Sequence, residues 1–164
     1  MASHYYLVAQ LPMLAFDRDP GITIEAFLAE ARKWLSAWDY RALTGCMLLD
    51  AGFRKTGPGL FLAYGEFERH FRQELASWRK ARRENQELKL SFPAALVREG
   101  NPLEVEKKLL KHRWDCIDAL TFGHHFDLDF LCAYYLKLQI LDRLSLYDRE
   151  KGLEIFRKLG GMTV

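Results

Sequence analysis

The densest grouping of chemically competent side chains is the run Gly123, His124, His125, Phe126, Asp127, Leu128, Asp129. Imidazole and carboxylate are the usual ligands of zinc and of first-row transition metals. Read that way, His124, His125, Asp127 and Asp129, with His112 as a further donor, describe a small helical metal-dependent enzyme. A plainer description needs no ion. Asp127 stands directly before a long apolar run, so its carboxylate can cap the helix that follows, with both histidines in the preceding loop. We adopt the second description and keep the first as its alternative.

Two other chemistries fail for want of partners. His112 and Cys116 are four apart and share a helix face, which suits a metal pair or a Cys-His nucleophile, yet no orienting third group accompanies them. Cys116 therefore reads as a small core residue, and Cys132, in the most apolar stretch, as inert. Gly57, Pro58 and Gly59 resemble a phosphate loop only in composition, since neither GxxxxGK[ST] nor GxGxxG is present. GxSxG and HExxH are equally missing. The expectation is a non-catalytic chain with no cofactor and no metal.

One dense basic run remains: Arg79, Lys80, Arg82 and Arg83, beside Trp78. Stacking and charge would suit nucleic acid, but Glu74, Glu84 and Glu87 flank the run, so we expect no nucleic-acid partner. Basic side chains near a helix C-terminus complement its dipole, so a solvated helix end is the default reading, with protein docking as the alternative. These four are the candidate partner-binding residues.

The elements that must position these groups are helical almost throughout. Ile24, Phe27, Leu28, Ala31, Leu35 and Trp38 follow helical spacing behind Thr23 as N-cap. Asp39 is the expected cap of a second helix running to Leu49 and stopping near Gly52. The stripe Leu60, Ala63, Phe67, Phe71, Leu75 and Trp78 predicts a long helix from Leu60 to near Glu87. Asn101, Pro102 and Glu104 combine a cap, a first-turn proline and a reciprocal acid, a strong start signal for a helix carrying Leu103, Leu110, Trp114 and Ile117.

After Asp127 the chain is apolar on nearly every side until Asp142 and Arg143, so this helix belongs at the centre. Lys137, Asp142 and Arg143 must either mark its exposed end or pair with neighbours, since an unpaired buried charge costs several kcal/mol. Asp148 is the expected cap of a last helix with Leu153, Phe156 and Leu159, ended by Gly160 and Gly161. Only Tyr5 to Leu11 and Leu88 to Phe92 have strand-like composition. The segment 88–101, with Pro93 and Gly100, is the candidate hinge between two lobes. The fold class is all-α, a bundle of about six to seven helices in one domain over residues 1–164.

Composition bounds the rest. In 164 residues, 24 basic side chains face 22 acidic ones, so no global field attracts nucleic acid or an anionic membrane. A hydrophobic fraction of 49% supplies a full core and excludes disorder as the main state. Cys46, Cys116 and Cys132 are odd in number and form no CxxC, which points to a reducing cytoplasm. The opening MASHYYLVAQLPMLAFDRD lacks a positive n-region and a cleavage site, and its uncharged run is too short to span a bilayer.

Two stretches carry a family resemblance. Arg113 to Leu159, RWDCIDALTFGHHFDLDFLCAYYLKLQILDRLSLYDREKGLEIFRKL, resembles the C-terminal pattern of an uncharacterised bacterial family encoded among V-type ATPase subunits. Tyr5 to Asp17, YYLVAQLPMLAFD, is similar to that family's opening. The family in turn resembles, more distantly, the C subunit of V/A-type rotary ATPases, known in eukaryotes as the d subunit. The shared helix pattern falls here on Tyr135, Leu136, Lys137 and, one position late, Asp142. The resemblance implies a non-catalytic accessory or C-like subunit that links the central stalk to the membrane rotor ring in ion transport. Its partners would be central-stalk and rotor-ring subunits, and it would lie in the cytoplasm, peripheral to the inner membrane through the complex alone. The chain is short beside that rotary-ATPase component, which stacks three helical lobes into a funnel.

Overall fold

A computed structural model describes residues 2–160. The elements are α1 (Ala2–Gln10), α2 (Ile24–Trp34), α3 (Ala37–Thr44), a single 3-10 turn (Ala51–Phe53), α4 (Gly59–Arg83), α5 (Ala95–Arg98), α6 (Pro102–Thr121) and α7 (Leu128–Gly160). The fold is all-α, with seven α-helices and no strand among the described residues.

Three helix starts are set by local side-chain chemistry, as their sequences predict. Thr23 accepts from the Ala26 amide at 3.1 Å. Asn101 accepts from the Glu104 amide at 2.9 Å while Glu104 reaches back to the Asn101 amide at 3.3 Å, closing a capping box around Pro102. Asp127 accepts from the Phe130 amide at 2.9 Å.

Elsewhere the structure corrects the expectation. The first amphipathic helix ends at Trp34, because Leu35 turns extended and Ser36, not Asp39, caps α3 by accepting from the Asp39 amide at 3.1 Å. A hydroxyl three residues upstream outcompeted the carboxylate for the role. Trp38, expected on the buried stripe, is 80% exposed as a result. The second helix stops at Thr44 rather than near Gly52. The long helix α4 starts at Gly59 and ends at Arg83, short of Glu87, and Ala63 is not part of the buried stripe. No separate last helix starts at Asp148: α7 runs unbroken to Gly160, and Gly161 lies outside the described residues. Tyr5 to Gln10 lies within α1, where Leu7 is fully buried; Leu88 to Phe92 forms no regular element, although Phe92 is buried.

The centre of the molecule is α7. From Leu131 to Leu136 every residue is buried, which is why this stretch has no polar face. α2, α3, α4 and α6 pack on it, and Leu7 of α1, Phe27 of α2 and Tyr64 of α4 join the same core. Truncating such a buried leucine as Leu136 to alanine costs about 2–5 kcal/mol. A smaller cluster of Phe71, Leu75, Trp78, Phe92, Val97 and Leu109 joins the distal part of α4 to the start of α6. The 3-10 turn lies against α4 at Gly65, where a Cβ would stand 2.3 Å from the Ala51 carbonyl oxygen, so only glycine allows this approach.

Candidate functional site

The α6–α7 turn brings three of the five candidate donors together. One donor atom from each of His124, Asp127 and Asp129 lies within 4.8 Å of the others, while His125 is exposed and His112 sits elsewhere on α6. Each acid has a backbone duty. Asp127 Oδ1 caps α7, and Asp129 Oδ1 accepts from the Leu60 amide at 2.9 Å, capping the first turn of α4 across the fold. The His124 Nδ1 lies 2.6 Å from Asp127 Oδ2. That hydrogen bond raises the imidazole pKa; burial opposes it, and the charges of Asp127 and Asp129 add to the rise. Burial pushes the Asp127 pKa up, and the bonds from His124 and the Phe130 amide more than reverse that. The cluster therefore works as a joint that fixes the N-termini of α4 and α7 relative to one another.

His112 packs among Phe67, Phe71 and Phe92, with ring centroids 5.4, 5.0 and 5.7 Å away. Burial depresses its pKa, so it favours the neutral form. Cys116 is half-buried, and burial, assisted by the charge of Glu68, pushes its thiol up to about 11. A thiol held so far from ionisation is no nucleophile at neutral pH. Cys132 is fully buried.

The basic run stands on the last turns of α4, where Arg79, Lys80, Arg82 and Arg83 are all exposed. Arg82 lies 5.3 Å over the ring of buried Trp78, so the tryptophan supports the arginine from beneath.

The strongest electrostatic feature of the interior went unnoticed in the sequence. Glu68 is 1% exposed and is gripped by Arg113 through Nε at 2.9 Å and Nη2 at 3.1 Å. Arg72 Nε adds a bond at 2.7 Å and the Tyr64 hydroxyl one at 3.3 Å. Burial pushes the carboxyl pKa up, but the bonds and charges of Arg113 and then Arg72 outweigh it and hold Glu68 below the usual carboxylate value. A signal existed: Glu68 falls in the helical register Tyr64, Phe71, Leu75, Trp78, where a carboxylate needs a partner.

Of the three charges in the apolar helix, Asp142 is exposed and the two cations are paired. Lys137 bonds Asp118 of α6 and lies 4.9 Å over the Trp114 ring, while Arg143 and Tyr147 both reach Glu106. Gln139, another residue the sequence did not single out, accepts from the Leu48 amide at 2.9 Å and donates to the Cys46 carbonyl at 2.8 Å, tying the loop after α3 to α7.

The N-terminal segment and the C-terminal helices meet. The Tyr134 hydroxyl donates to the Pro12 carbonyl at 2.7 Å, Phe16 packs edge-on to Trp114 at 5.7 Å, and Lys111 lies over the Phe16 ring. Outside this junction the rings of Phe126, Tyr5, Tyr6 and Trp34 form a continuous ladder with centroid steps of 4.8, 5.9 and 5.5 Å. Phe126, Tyr5 and Tyr6 are each about half exposed, at 50%, 51% and 52%. Contiguous exposed aromatic surface of this kind is what protein interfaces use as anchors.

The class defined by these features is an all-α helical bundle whose polar clusters cap and cross-link helices. Residues 94–162, spanning α5 through α7, match the family described as "Protein of unknown function (DUF2764)". No curated protein and no solved structure matches this chain. Among the described residues, no helix is long and apolar enough to cross a membrane.

Proposed function

We propose that this chain is a non-catalytic accessory or C-like subunit of a bacterial V-type ATPase, a helical part that links central stalk to membrane rotor and works through surface contacts. The observation that carries the reading is the meeting of its two family-like stretches. Tyr5 to Asp17 and Arg113 to Leu159, which resemble the family encoded with V-type ATPase subunits, join at Tyr134 and Pro12 and at Phe16 and Trp114. Two segments about 100 residues apart that make one structural unit are a better basis for a resemblance than either alone. The family match over residues 94–162 contains the second stretch. The exposed aromatic ladder beside the junction supplies a docking face, and the basic end of α4 a second. Likeness of fold does not by itself establish function, so the test is physical.

The test is purification of the V-type complex from the source cells, with a reciprocal pulldown on this chain. The expected result is co-purification with central-stalk and rotor-ring subunits. An intact complex that lacks the chain, together with a pulldown that recovers no rotor subunit, overturns the reading.

A further inference from the structure

The distal part of α7 leaves the bundle. α6 and α7 run antiparallel, with Asp118 beside Lys137 and Glu106 beside Arg143, and among the described residues the outermost ion pair between them is Lys107 to Asp148 at 3.8 Å. The following twelve residues, 149–160, extend α7 by about 18 Å at 1.5 Å per residue. On this arm Leu153, Phe156 and Leu159 are 52%, 72% and 60% exposed. Apolar side chains at three-residue spacing, left in water, form an unpartnered helix face.

Directly before the arm, the same helix forms one wall of a groove of about 1010 Å³, and the segment Asp17 to Ala26 forms the other. Its rim is one-sided in charge: Asp17, Asp19, Glu25, Asp142 and Asp148 against Arg18. Leu138, Leu141 and Leu144 supply apolar groups at its base. The arm has the opposite balance towards its end, where Arg157 and Lys158 stand against Glu154. Groove face and arm face also share one side of α7. Leu138, Asp142 and Ser145 recur at intervals of four and three, and the same rhythm continues through Gly152, Phe156 and Leu159.

We infer that two copies of this chain pair through α7 about a two-fold axis, each arm lying in the other's groove. Because the arm follows the groove on one face of one helix, antiparallel pairing near residues 148 and 149 sets Phe156 of each copy opposite the Asp142 region of its mate. Arg157 then stands beside the acidic rim. The contact is isologous and closes at two, so it needs no further partner surface. Two arms and two grooves together suit the roughly 1,200–2,000 Å² that a specific interface buries. The inference is independent of the V-type ATPase reading, and either can fail without the other.

Sedimentation velocity on the purified 164-residue chain tests it, over a concentration series at low and high salt. The expected species is a dimer that weakens with salt. Phe156→Asp is expected to raise the dimer dissociation constant at least about tenfold, the scale of one interface anchor, with an unchanged circular dichroism spectrum because the side chain is exposed. Asp142→Arg and Arg157→Asp should each weaken the homodimer, and mixing the two variants should restore pairing. A monomer at every concentration and salt overturns the inference, as does a dimer that withstands Phe156→Asp or a mixture of charge variants that fails to pair. An arm that instead captures a different protein while the chain stays monomeric also overturns it.

Discussion

The guanidinium of Arg113 on α6 holds both carboxylate oxygens of Glu68 on α4, at 2.9 and 3.1 Å, in a site where Glu68 is all but sealed from water. Arg72 completes the cage from one turn along α4 and also donates to the Leu49 carbonyl at 2.9 Å, so the ion cluster reaches from α6 through α4 to the loop before the 3-10 turn. Removing Arg113 leaves the buried carboxylate with Arg72 alone, and a buried charge short of its counterions costs more than the pair contributes.

Arg113→Met is therefore expected to destabilise the fold by roughly 3 kcal/mol in chemical denaturation. The double change Glu68→Gln with Arg113→Met should recover part of that loss, because no buried carboxylate then depends on Arg72 alone. Equal destabilisation by the single and double variants would contradict this account. The pH dependence has a definite sign. Arg113 and Arg72 depress the folded pKa of Glu68 below the unfolded value. The stabilisation is thus present above the unfolded carboxylate pKa near 4.3 and is lost as pH falls through the folded value.

Two histidines should titrate in opposite directions. The hydrogen bond that His124 donates to Asp127 raises the imidazole pKa, so its contribution to stability is complete below the unfolded imidazole pKa near 6.5 and is lost as pH rises through the folded value. Burial lowers His112, so its penalty for folding is absent above about 6.5 and grows as pH falls through that unfolded value towards the depressed one. Imidazole NMR titration reads both. Asp127→Asn should bring His124 back towards the ordinary value and leave His112 unmoved.

Gly65→Ala places a methyl 2.3 Å from the Ala51 carbonyl oxygen, a backbone atom with little room to move. The expected loss is about 2–3 kcal/mol, the upper part of the range for overpacking. Gly152→Ala, on the exposed arm where a Cβ meets nothing within 4 Å, should be neutral or slightly stabilising because alanine is the better helix former. Matched thermal melts of the two variants separate steric from propensity effects.

Asp129→Ala removes the cap that α7 supplies to α4, and about 1 kcal/mol should go with it. Amide exchange is expected to accelerate at Leu60 in the first turn of α4 and to remain unchanged in α6. Uniform acceleration would show that the cap is not local.

If the chain docks within a V-type complex through its aromatic ladder, Tyr6→Ala with Phe126→Ser should reduce co-purification of rotor or stalk subunits several-fold. The melting temperature should change little, since both rings are about half exposed. Unchanged co-purification would move the docking face elsewhere, with the exposed basic end of α4 next in line.

Much of the helical frame was legible because helix starts are short-range chemistry. Thr23, Asn101 with Glu104, and Asp127 each bind an amide three residues on, and a reader of the sequence needs no fold to see them. Where two local signals compete, local pattern does not choose between them: Ser36 and Asp39 are both good caps, and three residues separate them. At Tyr5 to Gln10 a short apolar run fits helix and strand alike, and packing of Leu7 in the core chose the helix. Asp148 has the side chain of a helix start, yet in solvent its intrinsic cost inside a helix is small beside the thirty-three-residue continuity of α7.

The donors at residues 124–129 were legible as a group, but not their purpose. Sequence alone determined that His124, Asp127 and Asp129 lie near one another, that α7 is the central helix, and that the chain is all-α, since each depends on periodicity or on neighbours within one or two turns. Only the tertiary structure decided that Asp129 caps α4 across 69 residues, that Arg113 neutralises Glu68 across 45, and that Gln139 holds the Leu48 amide across 91. Hydrogen bonds act over about 3 Å, and which distant groups come within that reach is set by how the helices pack, which no local pattern encodes.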